Sequence, residues 1–163
     1  MNKFLQLCLF VLSISFLVPA ANAQAMRFTA TLSGTAQVPA VDTTAAGTAT
    51  FRLNAAGDTL NYTINVTGIQ DPAAAHIHMG AAGKNGPPVV VLYPTDASPA
   101  QTGAYSGVLA KGSITAASLV GPLAGKTVAD LVEQIKAGNT YVNVHTKAHA
   151  GGEIRGQLAA PMK

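Results

Sequence analysis

Residues 141–158 read YVNVHTKAHAGGEIRGQL. Val142 and Val144 alternate with Tyr141, Asn143 and His145, the period-two pattern of a strand with one buried face. After the loop around Gly151 and Gly152 the alternation resumes, with Ile154 and Leu158 on one side and Glu153, Arg155 and Gln157 on the other. Two such runs joined by a short glycine-containing loop predict a β-hairpin. Its polar side is expected to carry His145, Glu153 and Arg155, with His149 on the connecting loop.

Working upstream, Val128, Leu131, Val132 and Ile135 follow the i, i+3, i+4, i+7 stripe of a helix over residues 128–137. Thr127 is placed to cap it, with Asp130 three residues on and Gly138 positioned to end it. Everything else alternates with period two or runs short and apolar. Strands are expected at 27–33, 47–53, 60–67, 75–79, 89–92 and 104–114, the last with a bulge near Gly107 or Gly112. Asn54 to Asp58 is a turn signal, so the strands on either side of it should form a hairpin. Val89 to Leu92, apolar throughout, reads as a strand deep in the core. With the 141–158 hairpin this gives about eight strands and one short helix, and no repeat. The predicted fold is all-β, an antiparallel β-sandwich of the immunoglobulin-like or superoxide-dismutase-like kind.

The remaining two histidines lie in AHIHMGAAGKNGPPVVVL, residues 75–92. The glycines and prolines of 80–88 predict a loop of unusual backbone geometry. It lacks the spacing and following helix of a phosphate-binding loop. His76-Ile77-His78-Met79-Gly80, Gly83 and Asn85-Gly86-Pro87, taken with Tyr141-Val142-Asn143-Val144-His145-Thr146 and Gly151-Gly152-Glu153-Ile154-Arg155-Gly156-Gln157, resemble the CHRD domain. That domain was first named from chordin and is also found singly in many secreted microbial proteins. The similarity runs from about Phe28 to Leu158. One departure is Ala150, where the resemblance calls for a proline, and it bears on the loop around His149. The resemblance implies an extracytoplasmic β-sandwich and, through chordin, an extracellular protein partner; it implies no established reaction.

The first residues, MNKFLQLCLFVLSISFLVPAANAQA, combine a basic Lys3, an apolar run from Phe4 to Val18 and the small-residue exit Ala21-Asn22-Ala23. This is the pattern of a cleaved signal peptide over 1–23, leaving a single domain over 24–163. The run is shorter than the ~20 residues that span a bilayer, so no membrane span is expected in the mature chain. The expected location is secreted or periplasmic. The one cysteine, Cys8, falls in the leader, so no disulfide framework is available to the mature protein. The formal net charge is only +3 and the basic residues do not cluster, which argues against nucleic acid as a partner. Asn61-Tyr62-Thr63 and Asn65-Val66-Thr67 match the N-glycosylation pattern but read equally as the polar face of a strand.

His76 and His78 are one residue apart, so in a strand they share a face about 6.6 Å apart. If that strand lies beside the one carrying His145, the imidazoles can hold one metal ion, with His149 able to fold back from its loop. Imidazoles without thiolates suit copper(II) or zinc, copper having the higher affinity where both are present. Glu153 is an additional ligand or an acceptor behind one, and Arg155 and Asn143 are candidates for supporting or structural roles. The expected function is a binding module rather than an enzyme. Two alternatives stay open. In a metal-free extracellular interaction or matrix domain, Glu153 and Arg155 would form a polar pair, and Asn143 and Thr146 would satisfy backbone groups at the hairpin ends. The less favoured alternative is an enzyme similar to copper-dependent superoxide dismutases, with Arg155 guiding the substrate. The zinc-loop ligands and the structural disulfide of such enzymes are not evident here.

Overall fold

The computed structural model describes residues 26–94 and 101–159. The expected signal peptide and its cleavage site lie outside them. The described residues form eight strands: β1 (Arg27–Ser33), β2 (Ala46–Leu53), β3 (Leu60–Gln70), β4 (Pro72–Met79), β5 (Pro88–Tyr93), β6 (Ala104–Ile114), β7 (Thr140–Thr146) and β8 (Ile154–Gln157). One α-helix, α1 (Val128–Lys136), precedes β7. All strand pairs are antiparallel, in the order β5-β4-β7-β8-β1-β2-β3-β6. The all-β, antiparallel expectation therefore holds.

The sheet is continuous but unevenly joined. Its two four-stranded halves meet at a narrow seam, where Ser33 of β1 pairs with Arg155 of β8 and Thr29 bridges to Ala159. At the opposite margin the Tyr62 hydroxyl donates to the Leu92 carbonyl at 2.8 Å, drawing β3 towards β5 and nearly closing the sheet into a barrel. The two layers foreseen as a sandwich are thus the two halves of one curled sheet. The period-two apolar residues line its interior: Phe28, Leu32, Phe51, Leu60 and Ile64 from one half, and Ile77, Val142, Val144 and Ile154 from the other. The helix adds Val128, Leu131, Val132 and Ile135 to the same core. Its N-terminus is fixed as the sequence predicts, because the Thr127 hydroxyl accepts from the Asp130 backbone N–H while the Asp130 carboxylate accepts from that of Thr127.

Three details differ from expectation. Strand β5 is an edge strand, not a deeply buried one; Val89, Val90 and Leu92 are buried but Val91 is 47% exposed. Strands β3 and β4 extend towards each other until only Asp71 separates them. The irregularities of the β3–β6 ladder fall beside Gly107, as foreseen, and at Leu109, with none at Gly112. The largest difference concerns the hairpin. Strand β7 is buried on both faces, with only His145 partly exposed, and Arg155 on β8 is just 2% exposed. Its polar side is no solvated face. The segments 34–43 and 80–87 cross over it, Gln37 bonding to Asn143, Thr43 to Glu153, and Asn85 and Lys84 to Arg155.

Candidate metal centre

Strand β4 lies beside β7, pairing His76 with Asn143, His78 with Tyr141 and Ala74 with His145. Ile77, Val142 and Val144 point into the core, which sends His76, His78 and His145 to the other face. One ring nitrogen from each of these three histidines lies within 4.8 Å of the others. His149 is not part of the group. It sits in the β7–β8 turn, its backbone N–H donating to the Thr146 hydroxyl, and it borders a cleft with Gln37, Val38 and Pro39. Its expected place as a fourth ligand is therefore not supported by the geometry.

Hydrogen bonds fix the tautomers of two rings. His78 Nδ1 lies 2.9 Å from the Gly86 carbonyl, and His145 Nδ1 lies 2.9 Å from the Ala150 carbonyl. A carbonyl can only accept, so each neutral ring carries its proton on Nδ1 and presents the Nε2 lone pair. His76 Nδ1 meets His145 Nε2 at 3.2 Å. Two nitrogens each about 2.1 Å from one ion in a tetrahedral shell are separated by roughly 3.4 Å, so the spacing of this pair already suits a shared ion. The decisive atom is His78 Nε2. It is buried and has no hydrogen-bond partner, one of only two such side-chain atoms among the described residues, the other being Thr140 Oγ1. A native structure rarely leaves a buried acceptor in this state without an ion or water to meet it. Carbonyls behind ligand histidines are the usual means of orienting such rings.

Burial also keeps the three rings neutral. His76 has its pKa pushed down to about 4, by desolvation first and then by the neighbouring His145 and His78. His78 is lowered by desolvation, opposed by its bond to Gly86 and assisted by His145 and Arg155. His145 is lowered by desolvation against its bond to Ala150. Neutral imidazole is the form that binds a metal.

Around this trio stands a support that the hairpin sequence only half revealed. The Tyr141 ring stacks on His78 with centroids 5.0 Å apart, and the Arg155 guanidinium lies 3.4 Å from the centroid of the same Tyr141 ring. Arg155 donates to Asn85 Oδ1 at 3.0 Å and to the Lys84 carbonyl at 2.8 Å, pinning the 80–87 loop. The Gly86 N–H in turn donates to the Tyr141 hydroxyl at 3.2 Å. Gly86 must be glycine because a methyl there would overlap the Met79 backbone. Glu153 is neither beside the histidines nor paired with Arg155; its oxygens accept from Thr43 and Thr146 at 2.7 and 2.8 Å. Asn143 donates to the Gly151 carbonyl at 3.1 Å and accepts from Gln37 at 2.7 Å, locking the turn that presents Ala150. The missing proline at position 150 does not disturb this arrangement, since His145 uses the residue's carbonyl, which any amino acid supplies. Tyr141 went unassigned from sequence, as did Gln37 and Thr43 in a loop without periodicity. A tyrosine on the polar side of a strand was the available signal.

The CHRD domain family model matches residues 28–158, nearly all of the described chain. The chain belongs to the CHRD family. No curated protein matches it. Within this CHRD domain the three histidines, Tyr141 and Arg155 all lie inside the matched region, on the two segments that carry the family-like motifs.

Proposed function

We propose that this CHRD domain is an exported binding module that takes up one copper(II) or zinc ion through His76, His78 and His145. The observation that carries the reading is the buried, unpartnered Nε2 of His78, on a ring that shares with His76 and His145 a cluster in which one nitrogen from each lies within 4.8 Å of the others. Three neutral nitrogen donors without thiolate or carboxylate suit either ion, with copper the stronger binder. The ion would supply Lewis acidity, and copper also a one-electron couple. The residues of the chain do the holding. Gly86 and Ala150 fix ring orientation, and Tyr141 walls the site on the side of Arg155. Export rests on the Lys3, Phe4–Val18 and Ala21-Asn22-Ala23 pattern. Among the described residues no helix is long and apolar enough to cross a membrane.

Calorimetry and metal analysis of the mature protein without a His-tag test the proposal. Saturable uptake near one equivalent per chain is expected, abolished by His78→Ala and retained by His149→Ala. Absence of saturable binding at neutral pH would instead favour the metal-free interaction module. Turnover of superoxide by the copper-loaded protein would favour the enzyme over the binding module.

A further inference from the structure

We propose that the outer face of β1, β2, β3 and β6 is a docking surface for an anionic polysaccharide, with Arg27 and Arg52 holding its carboxylate or sulfate groups. This inference is independent of the metal site, which lies on the other half of the sheet.

Arg27 and Arg52 are directly opposed across the β1–β2 ladder. The Leu53 N–H donates to the Met26 carbonyl at 2.9 Å, so the Met26–Leu53 pair is a hydrogen-bonded one. The next pair, Arg27–Arg52, then takes the non-hydrogen-bonded position, where Cα atoms are only about 4.5 Å apart and side chains are closest. Like charges facing each other there are destabilising. Among the described residues no ion pair relieves them. The ion pairs among the described residues are Lys136–Glu133 and Lys147–Asp71, and none of the four strands contains an Asp or Glu. A third cation, Lys111, lies on the same face, paired with Thr63. An unrelieved cationic pair is what an anion bound between two guanidinium forks would stabilise.

The two arginines border a cleft of about 250 Å³ whose other polar walls are Thr29, Thr50, Asn61 and Thr63. Such hydroxyls and amides suit a hydroxyl-rich polymer. Other polyanions fit less well. Single-stranded nucleic acid needs aromatic platforms, but Phe28, Phe51, Tyr62 and Tyr105 pack against the core. A protein partner needs a buried apolar anchor, and among the described residues the large apolar one exposed on this face is Val108 alone.

The test is binding of the tag-free mature protein to immobilised alginate, heparin and dextran and to phosphatidylserine vesicles, at low and at high salt. Retention on alginate, heparin or both, lost at high salt and absent on dextran, is expected, and the polymer retained identifies the anionic group. R27S/R52S should weaken that binding about tenfold or more while its unfolding midpoint stays level or rises, since a repulsion is removed. K126S/K136S removes equal charge from the helix side and should bind as the wild type does. Equal loss in both double variants would reduce the effect to net charge and overturn the proposal. So would binding to vesicles alone, or no binding to either polyanion.

Discussion

Truncating Arg155 to alanine tests the architecture around the histidines most directly. The guanidinium is buried, makes two good hydrogen bonds at 2.8 and 3.0 Å and stacks on Tyr141 at 3.4 Å. Hydrogen bonds from a charged donor contribute roughly 1.5–3 kcal/mol each, and a desolvated cation–π contact about 2 kcal/mol. Those add to roughly 5–8 kcal/mol, but two effects reduce the figure. Burial disfavours the charged guanidinium and holds its pKa below the usual arginine range, so truncation also removes a desolvation penalty. Lys84 and Asn85 are exposed residues of a surface loop, so once released the loop can turn their acceptors to water. A net loss of about 3–4 kcal/mol remains, or roughly 10–15 °C in the unfolding midpoint for a domain of this size. Arg155→Lys keeps the charge without the fork and should lose about half as much. The second consequence is local. Releasing the 80–87 loop removes the Gly86 carbonyl from His78 Nδ1, so metal affinity should fall about tenfold or more, within the range seen when groups behind ligand histidines are mutated. Denaturant titration and calorimetry measure the two effects. A stability loss under 1 kcal/mol in Arg155→Ala would refute the reasoning, because the guanidinium would then not be what ties the loop to the sheet.

Val144→Ala, removing buried atoms opposite Ala75 and Ile154, should cost about 1–3 kcal/mol by denaturant titration; an unchanged midpoint would place Val144 outside the core. Metal-free protein should lose stability as pH falls from about 6.5 to 4. In that window the unfolded chain takes up protons on His76, His78 and His145 that the folded chain resists, with His76 alone accounting for roughly 2 kcal/mol after solvent screening. Midpoints that stayed flat from pH 7 to 4 would show that the rings are solvated. For the same reason metal should be released below the ~6.5 expected of unperturbed imidazoles, which a pH titration of copper absorbance would register.

Much of the fold was legible because its signals are local. The period of Leu60, Tyr62, Ile64 and Val66, the capped helix stripe and the glycine-linked hairpin each lie within a few residues of chain. The shared face of His76 and His78 followed from the same period. What the sequence left open was non-local: that β4 pairs with β7 is a property of the sheet order, set by contacts some seventy residues apart, and on it depends the meeting of His76 with His145. The polar face of the hairpin was misjudged for a related reason. Alternation shows that two faces differ, not that one meets water. Strands β1 to β3 put Thr29, Thr31, Thr48, Thr50 and Thr67 outward, and these are exposed. Strands β7 and β8 put Tyr141, Asn143, Arg155 and Gln157 there, larger groups with more bonding capacity, and the crossing loops bury or nearly bury them. The composition of a polar face therefore carried information that its period did not, and it also separates Arg155 from the Glu153 partner that spacing alone suggested.

The stability of the domain and the readiness of its histidines come from one network. Without a cysteine after Cys8, nothing covalent holds the 80–87 loop against β7 and β8. Arg155 does so through Lys84 and Asn85, Gln157 assists by donating to the Gly80 carbonyl at 3.0 Å, and Tyr141 holds Gly86 directly. That contact sets the Gly86 carbonyl on His78 Nδ1 and leaves the Nε2 lone pair free on a ring clustered with those of His76 and His145. On the other side Asn143 fixes Gly151, and the same turn places the Ala150 carbonyl on His145. The strands supply the spacing of the rings and the loops supply their tautomers. An ion bound by the three rings would then join β4 to β7 across a pair of loops otherwise held by hydrogen bonds alone, stabilising the fold by about 2.7 kcal/mol when free metal is 100 times the dissociation constant. If the three rings take up an ion as proposed, weakening the loop anchors lowers its affinity and the bound ion in turn protects the anchors, because both act on the same folded arrangement.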